Sequence, residues 1–304
     1  PADDFEIDLV PLRDLRRSGL NDVAEQARGP IERHQSSHSS KLLWEQLGRA
    51  PQSFGLLLLD GLSMREELVA KALNGLLGGL PICGGSAGDD LRFEQTHVWL
   101  DGQFIDDAGA LLLCRTARPF ERFRTQHFAA TEHKLVVTGA RPEERVVTEF
   151  NGVPAVEAYA EALGLAVEDL TPAVFVTSPV VVALGDDLFV RSVANIEPNG
   201  CLRFFCAIDE GLILTIASAE DMVANLDALA SSLRLRVGEP EATLAFDCIL
   251  RRQESRSKGL VELIDGALER LRCTGFATYG EQFDGMHVNN TMTGVAIGPP
   301  KSAS

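Results

Sequence analysis

Residues 54–60 read FGLLLLD, an unbroken apolar run that ends on an aspartate. A strand with one wet face alternates apolar and polar residues, whereas an unbroken run marks a strand covered on both faces. This segment therefore demands a layered fold, with something packed against each side of a sheet. Helical spacing follows at Met64, Leu68, Ala72 and Leu76. Ser63 with Glu66 three residues on has the pattern of a capping box, and Gly78 and Gly79 stop the helix. A glycine-rich turn region, PICGGSAGDD at 81–90, comes next. The same order returns in the second half. TLAFDCI at 243–249 carries Asp247, a helix over about 259–271 puts Leu260, Ile264, Ala267 and Leu271 on one face, and GFATYGEQ at 275–282 carries Gly275 and Gly280. The recurrence predicts an internal duplication. The expected fold is α/β, with two related mixed-sheet modules and helices packed on the sheets.

Other elements follow from local signals. Strands are expected at 5–13, 96–100, 109–114, 122–128, 134–138, 145–150, 173–176, 188–194, 201–208, 211–217 and 290–297. Asp101-Gly102 is a hairpin signal. Pro154 opens a helix through Leu163, and Asp221 opens one reaching about Val237. The polar stretch 28–42 reads as irregular, with a short helix around Trp44 and Leu47 after it.

The chain has 304 residues and a formal net charge of −16. That acidity repels phosphate backbones and anionic lipid, so neither nucleic acid nor membrane is an expected partner. No secretory leader is evident, and no apolar run reaches the ~18 residues of a membrane span. The six cysteines form no C-x-x-C pair, which excludes a zinc knuckle or thioredoxin motif. Scattered cysteines in a chain of this size suggest reduced thiols and a cytoplasmic location.

Three segments carry chemistry. Gly84-Gly85-Ser86-Ala87-Gly88-Asp89-Asp90 is neither G-x-G-x-x-G nor a P-loop. It reads either as a turn that needs glycine dihedrals or as a loop whose N–H groups line a pocket. Residues 275–294 concentrate Tyr279, Glu281, His287, Asn289, Asn290, Thr291 and Thr293. On one strand His287, Asn289, Thr291 and Thr293 share a face, and burying them demands partners, either a ligand or a structural network. In the third segment, Arg251 has the fork geometry for a carboxylate, and Cys248 is either a nucleophile or a buried apolar thiol. Among the histidines, His34 and His38 are spaced i, i+4, while His97, His127 and His133 lie in or beside strands. No C-x-x-C-H is present, so haem cannot be attached covalently through that motif.

These segments carry a resemblance. PICGGSAGDDLRFEQTHVWLDGQF resembles the core of the FIST N-terminal module, and FDCILRR with GFATYGEQFDGMHVNNTMTGVAIG resembles the hallmark segments of the C-terminal module. The resemblance implies a first module at 1–152 that lacks its first strand–helix–strand portion, a second at 153–298, and a tail at 299–304. It implies a bacterial signal-transduction sensor of small ligands such as amino acids, without catalytic activity. A proteobacterial subset of haem proteins senses nitric oxide and controls a partner histidine kinase or cyclic-di-GMP enzyme. Similarity to that subset implies haem b, with His287 as the first-ranked iron ligand, then His97 and His127. The expected ligand-binding set is Gly84, Gly85, Ser86, Asp89, Arg251, Tyr279, Glu281, Asn289 and Thr291. Three rivals remain open: a sensor of a small carboxylate or amino acid, a hydrolase using Cys248 and His287 with Glu281 or Asn289, and a scaffold. The sensor readings require residues 84–88 and 287–293 to be neighbours in space.

Overall fold

The computed structural model describes residues 4–36 and 52–300. The FGLLLLD run lies at its centre as β2 (Gln52–Asp60). β6 (Gly109–Thr116) pairs with β2 antiparallel on one side, and β3 (Ile82–Ala87) pairs parallel on the other. β1 (Phe5–Leu12) extends this first sheet beyond β6, and β18 (Glu281–Phe283) and β19 (Met286–Val288) extend it beyond β3. Leu57 and Leu59 are buried under α1 (Leu20–Ser36) and α2 (Glu66–Leu77). Leu56 and Leu58 face the other way, toward a second sheet. Both faces are covered, as the unbroken apolar run requires, and each fully buried leucine contributes roughly 1.5–3 kcal/mol.

The second sheet runs β17 (Cys273–Thr278), β16 (Ala242–Cys248), β20 (Met292–Ile297), β7 (Phe120–Thr125). Its central strand β16 again has one parallel neighbour, β17, and one antiparallel neighbour, β20. Ala245 packs toward α5 (Met222–Val237) and α7 (Val261–Arg270). Leu244 and Phe246 meet Phe54, Cys83 and Cys114 of the first sheet. The result is four layers: helices, sheet, sheet, helices. The expected duplication is visible in register, with Asp60 opposite Ala87 and Asp247 opposite Ala277. The halves also exchange strands. β7 leaves the first sheet to pair with β20, and β18 leaves the second to pair with β3.

A third sheet runs β12 (Asp187–Arg191), β11 (Val180–Leu184), β15 (Ile213–Ala219), β8 (Phe128–Arg141), β9 (Val146–Phe150), β14 (Leu202–Phe204), β13 (Val193–Ile196). α3 (Ala155–Leu163) and α4 (Pro172–Thr177) fill its concave side around Phe150, Tyr159 and Phe204. The division at 152/153 falls in the Asn151-Gly152 turn between β9 and its partner β10 (Val153–Pro154).

Several local expectations are corrected. Residues 82–87 form a strand rather than a turn, and neither Gly84 nor Gly85 has positive φ. Residues 28–36 are helical despite Pro30, because Val23, Ala27, Ile31 and His34 form a buried stripe. Residues 37–42, His38, Trp44 and Leu47 lie outside the described residues. Residues 173–176 belong to a helix that starts on Pro172. A helix missed in the sequence, α6 (Ile249–Ser257), follows β16 directly. The capping box does not form: Ser63 accepts from the Arg65 N–H at 3.3 Å, and Glu66 pairs elsewhere. The Asp221 cap does form, accepting from the Val223 and Ala224 N–H groups. Asp101 and Gly102 make a left-handed hairpin turn, but it joins β4 (Val98–Leu100) to β5 (Gln103–Ile105) and not to the strand at 109–114. Among the described residues no helix is long and apolar enough to cross a membrane.

Candidate functional site

β18 brings the two dense segments together. Glu281, Gln282 and Phe283 stand opposite Gly85, Gly84 and Cys83 of β3, and Gln282 stands opposite His287 of β19. Cross-strand partners share a face. Gln282 Nε2 accordingly donates to Ser86 Oγ at 2.9 Å and lies 3.3 Å from His287 Nδ1. The required adjacency of 84–88 and 287–293 is therefore present. His287, Asn289, Asn290 and Gln282 are all buried. Yet His287 Nε2, both amide atoms of Asn289, Asn290 Oδ1 and Gln282 Oε1 have no hydrogen-bond partner among the described residues. Such atoms are rare in native interiors, and each unpaired one costs about 1–3 kcal/mol. Gly280 lets the His287 ring and the Asn289 amide pack directly against its backbone. A Cβ there would lie 2.3 Å from His287 Cε1, 2.7 Å from Nε2 and 3.0 Å from Asn289 Nδ2.

Charged groups close the chamber from the α2 side. Arg145 Nη2 bonds Glu66 at 2.5 Å and Glu67 at 2.8 Å, and its Nη1 donates to the Phe205 carbonyl at 2.8 Å. Glu66 Oε1 remains unpartnered. Burial pushes Glu67 up, but His287 and Arg145 outweigh it and hold the carboxyl at about 2. Burial pushes the His287 imidazole down, against Glu67 and Glu66, which favour its charged form. Arg191 Nη1 donates to the His287 carbonyl at 3.3 Å.

Arg145 also lines a cavity of about 530 Å³. Its walls are mostly apolar: Leu62, Leu91, Phe93, Phe175, Phe205 and Leu250. Tyr279 is its pillar, stacked on Phe93 at 4.9 Å and accepting from the Leu91 N–H at 2.6 Å. Asp89 accepts from Tyr279 Oη and from the N–H groups of Phe93, Glu94 and Gln95. Burial opposes ionisation of Asp89, and these donors hold it well below the usual carboxylate range. Val176 joins cavity and chamber, lining the first and accepting from Asn290 Nδ2 at 3.4 Å.

The FIST N domain profile matches residues 7–153, and the FIST C domain profile matches residues 155–284. The chain belongs to the FIST family. FIST domains are associated with sensing small ligands in signal transduction. Comparison with curated proteins returned no match.

The other expected site residues of this FIST chain are distributed as follows. Gly84, Gly85 and Ser86 sit within a strand, where Ser86 donates its N–H to Gly280 and accepts from the Tyr279 N–H. Their backbone builds the sheet instead of facing the chamber. Thr291 and Thr293 do not share the His287 face, because Asn290 turns left-handed between β19 and β20. Thr293 donates to the Gly84 carbonyl at 2.9 Å, and Thr291 Oγ1 donates to Glu281 at 2.5 Å. Arg251 is buried against Asp247 at 2.7 Å and His127 Nδ1 at 3.0 Å, while His127 Nε2 meets Glu254 at 2.9 Å. That uses both nitrogens of His127. His97 is exposed beside Phe104. Burial, with Glu281 nearby, pushes the Cys248 thiol well above its ordinary range. No imidazole is hydrogen-bonded to that sulfur among the described residues. No cluster of three or more His, Cys, Asp or Glu suited to a metal occurs among them either. The sequence reading missed Glu66, Glu67, Arg145, Gln282 and Gly280 as site residues.

Glu281 lies on the opposite side of β18, held by Thr278 Oγ1 at 2.5 Å and by Thr291. Burial pushes its carboxyl up to about 8, against those hydrogen bonds, so it is protonated at neutral pH. The folded state then binds this proton more tightly than the unfolded chain does. Its stabilisation is complete below about 4.5 and is lost as pH rises through about 8. Glu281→Gln should remove a slope of up to about 1.4 kcal/mol per pH unit within that window. The check is urea unfolding of both proteins from pH 5 to 8. Parallel curves for the two proteins would mean that Glu281 does not carry the effect.

Proposed function

We propose that this FIST chain is a sensor whose ligand is a small polar molecule held in the His287–Asn289–Gln282 chamber, with any apolar portion extending toward the cavity beside Arg145. The single observation that carries this is the convergence of buried, unpartnered polar atoms on His287, Asn289, Asn290 and Gln282. Most of these are acceptors, together with Glu66 Oε1. They favour a guest rich in N–H or O–H donors, such as an amino acid or a related amino compound. A second signalling protein, a histidine kinase or a cyclic-di-GMP enzyme, would read the response. The chamber is built from the first sheet, α2 and the loop carrying Arg145 into the third sheet. A ligand that binds two relative placements of these parts unequally shifts their populations.

The residues do not fit haem. No described histidine lines the apolar cavity, and the unpartnered His287 nitrogen faces Gly280 and Asn289, among charged groups. The nitric-oxide reading has no further support. Absorption spectra during haemin titration test this directly. A saturable Soret band lost in His287→Ala would overturn the polar-ligand reading.

The main test combines mass spectrometry of small molecules released from the purified protein with thermal unfolding against amino acids and amines. A binder should raise the midpoint, and Asn289→Leu should abolish that rise while the variant stays folded. No binder in the panel and no released molecule, or an unchanged response in Asn289→Leu, would count against the chamber.

A further inference from the structure

Sheet edges invite unwanted pairing, so proteins blunt them with charges, prolines, bulges or short strands. Most edges here follow that rule. β1 carries Glu6, Asp8 and Pro11, and β19 has three residues. β12 starts on Asp187 and ends on Arg191, β13 is bulged, and β7 carries Glu121, Arg122 and Arg124. β17 differs. Its sequence CTGFAT has no charge and no proline, and its register with β16 runs unbroken over six residues. It is the terminal strand of its sheet, and among the described residues nothing pairs with its outer side.

The direction of the free groups follows from the ladder. Thr243 stands opposite Cys273 and donates its N–H to the Arg272 carbonyl. In a parallel pair this turns even-numbered residues of β17 toward β16 and leaves the N–H and C=O groups of Cys273, Gly275 and Ala277 facing outward. Phe276 is 43% exposed on the same strand.

The surroundings select the partner's charge. Ala277 borders two grooves, of about 520 and 310 Å³, and Arg252 and Arg256 line both. Asp247 is already bound to Arg251. Neither Arg252 nor Arg256 reaches a carboxylate within ion-pair distance among the described residues, and both are exposed. Asp90 and Asp265 are the other acids on these walls, so the arginines give each groove a net positive lining. In a chain of net charge −16 this local reversal of sign favours an anionic segment.

We propose that the outer edge of β17 is a docking strand. It receives an extended, acidic segment of a partner protein as an added strand, with that segment's carboxylates against Arg252 and Arg256. β17 runs directly into Thr278, whose hydroxyl binds Glu281.

The test uses the full chain, without added ligand, in selection from a library of random ten-residue peptides. Enriched peptides should be acidic and β-prone, and their affinity should fall with salt. Fluorescence anisotropy should show binding weakened at least tenfold by Arg252→Glu/Arg256→Glu, whose positions are exposed and whose unfolding should match wild type. Ala277→Pro removes an outward N–H and should abolish binding. If that variant fails to fold, hydrogen exchange on wild type replaces it, with the Gly275 and Ala277 amides protected by bound peptide. No enrichment, enrichment of neutral or basic peptides, or binding indifferent to the arginine reversal would overturn the proposal. So would a dimer in light scattering that dissociates in Arg252→Glu/Arg256→Glu, since the occupant would then be a second copy of the chain.

Discussion

Arg145→Met is expected to be strongly destabilised at neutral pH and to regain much of the lost stability in acid. Arg145 holds Glu66, which is fully buried, together with Glu67 and the Phe205 carbonyl. Methionine fills much of the volume but leaves two carboxylates facing each other without a cation. Removing one partner of a buried pair costs about 3–5 kcal/mol, a large share of a typical total of about 5–15 kcal/mol. The pH dependence separates this cause from poor packing. In the wild type, Glu67 is held at about 2, so its contribution is full above about 4.5 and is lost as pH falls toward 2. In the variant, burial at Glu67 is no longer opposed by Arg145, so this carboxyl takes up its proton at a higher pH than in the wild type. The deficit relative to wild type should therefore shrink between pH 7 and pH 4.5. Adding Glu66→Gln and Glu67→Gln should recover part of it at pH 7. Urea unfolding followed by circular dichroism measures both effects. A deficit below about 1 kcal/mol, or one independent of pH, would show that Arg145 is not the counter-charge of this chamber.

What could be read from the sequence follows the range of the forces involved. FGLLLLD announced its place because burial on both faces is written in consecutive residues. The recurrence around Asp60 and Asp247 announced the paired sheets for the same reason. The exchange of β7 and β18 between sheets left no such trace, since strand pairing depends on partners far away in the chain. The chamber was half legible. His287 and Asn289 stood out because polar density in a strand demands an explanation. Arg145 and Glu66 are 79 residues apart, and no spacing rule joins them. Glu66 was read as a local cap because that pattern is short-range, and a buried arginine claimed it instead. Arg251 failed as a ligand group for the opposite reason. The missed helix α6 turns it back one turn onto Asp247 and inward onto His127.

Gly84→Ala and Gly275→Ala are expected to be equally damaging, although alanine is the smallest possible change. Each lies on the strand parallel to the central one of its sheet, although the register that matches Asp60 with Asp247 aligns Gly275 with Gly85. A Cβ at 84 would lie 1.9 Å from the Leu57 carbonyl oxygen, and one at 275 would lie 1.7 Å from that of Ala245. In both cases the obstacle is the backbone of β2 or β16, which cannot rotate aside as a side chain can. Relief requires separating strands whose other faces are fixed by a helix layer and the facing sheet. Each substitution should cost about 3 kcal/mol or more, at the upper end for overpacking. Gly75→Ala is the control. It sits in α2 with nothing within 4 Å of its would-be Cβ, and it should stabilise by roughly 0.5–1 kcal/mol through helix propensity. Equal destabilisation at 84 and 275 would mean that β3 and β17 are both held hard against their central neighbours. If Gly275→Ala behaved like Gly75→Ala, the strand β17 would be free to shift away from β16. It would then lose the rigidity that a docking edge needs.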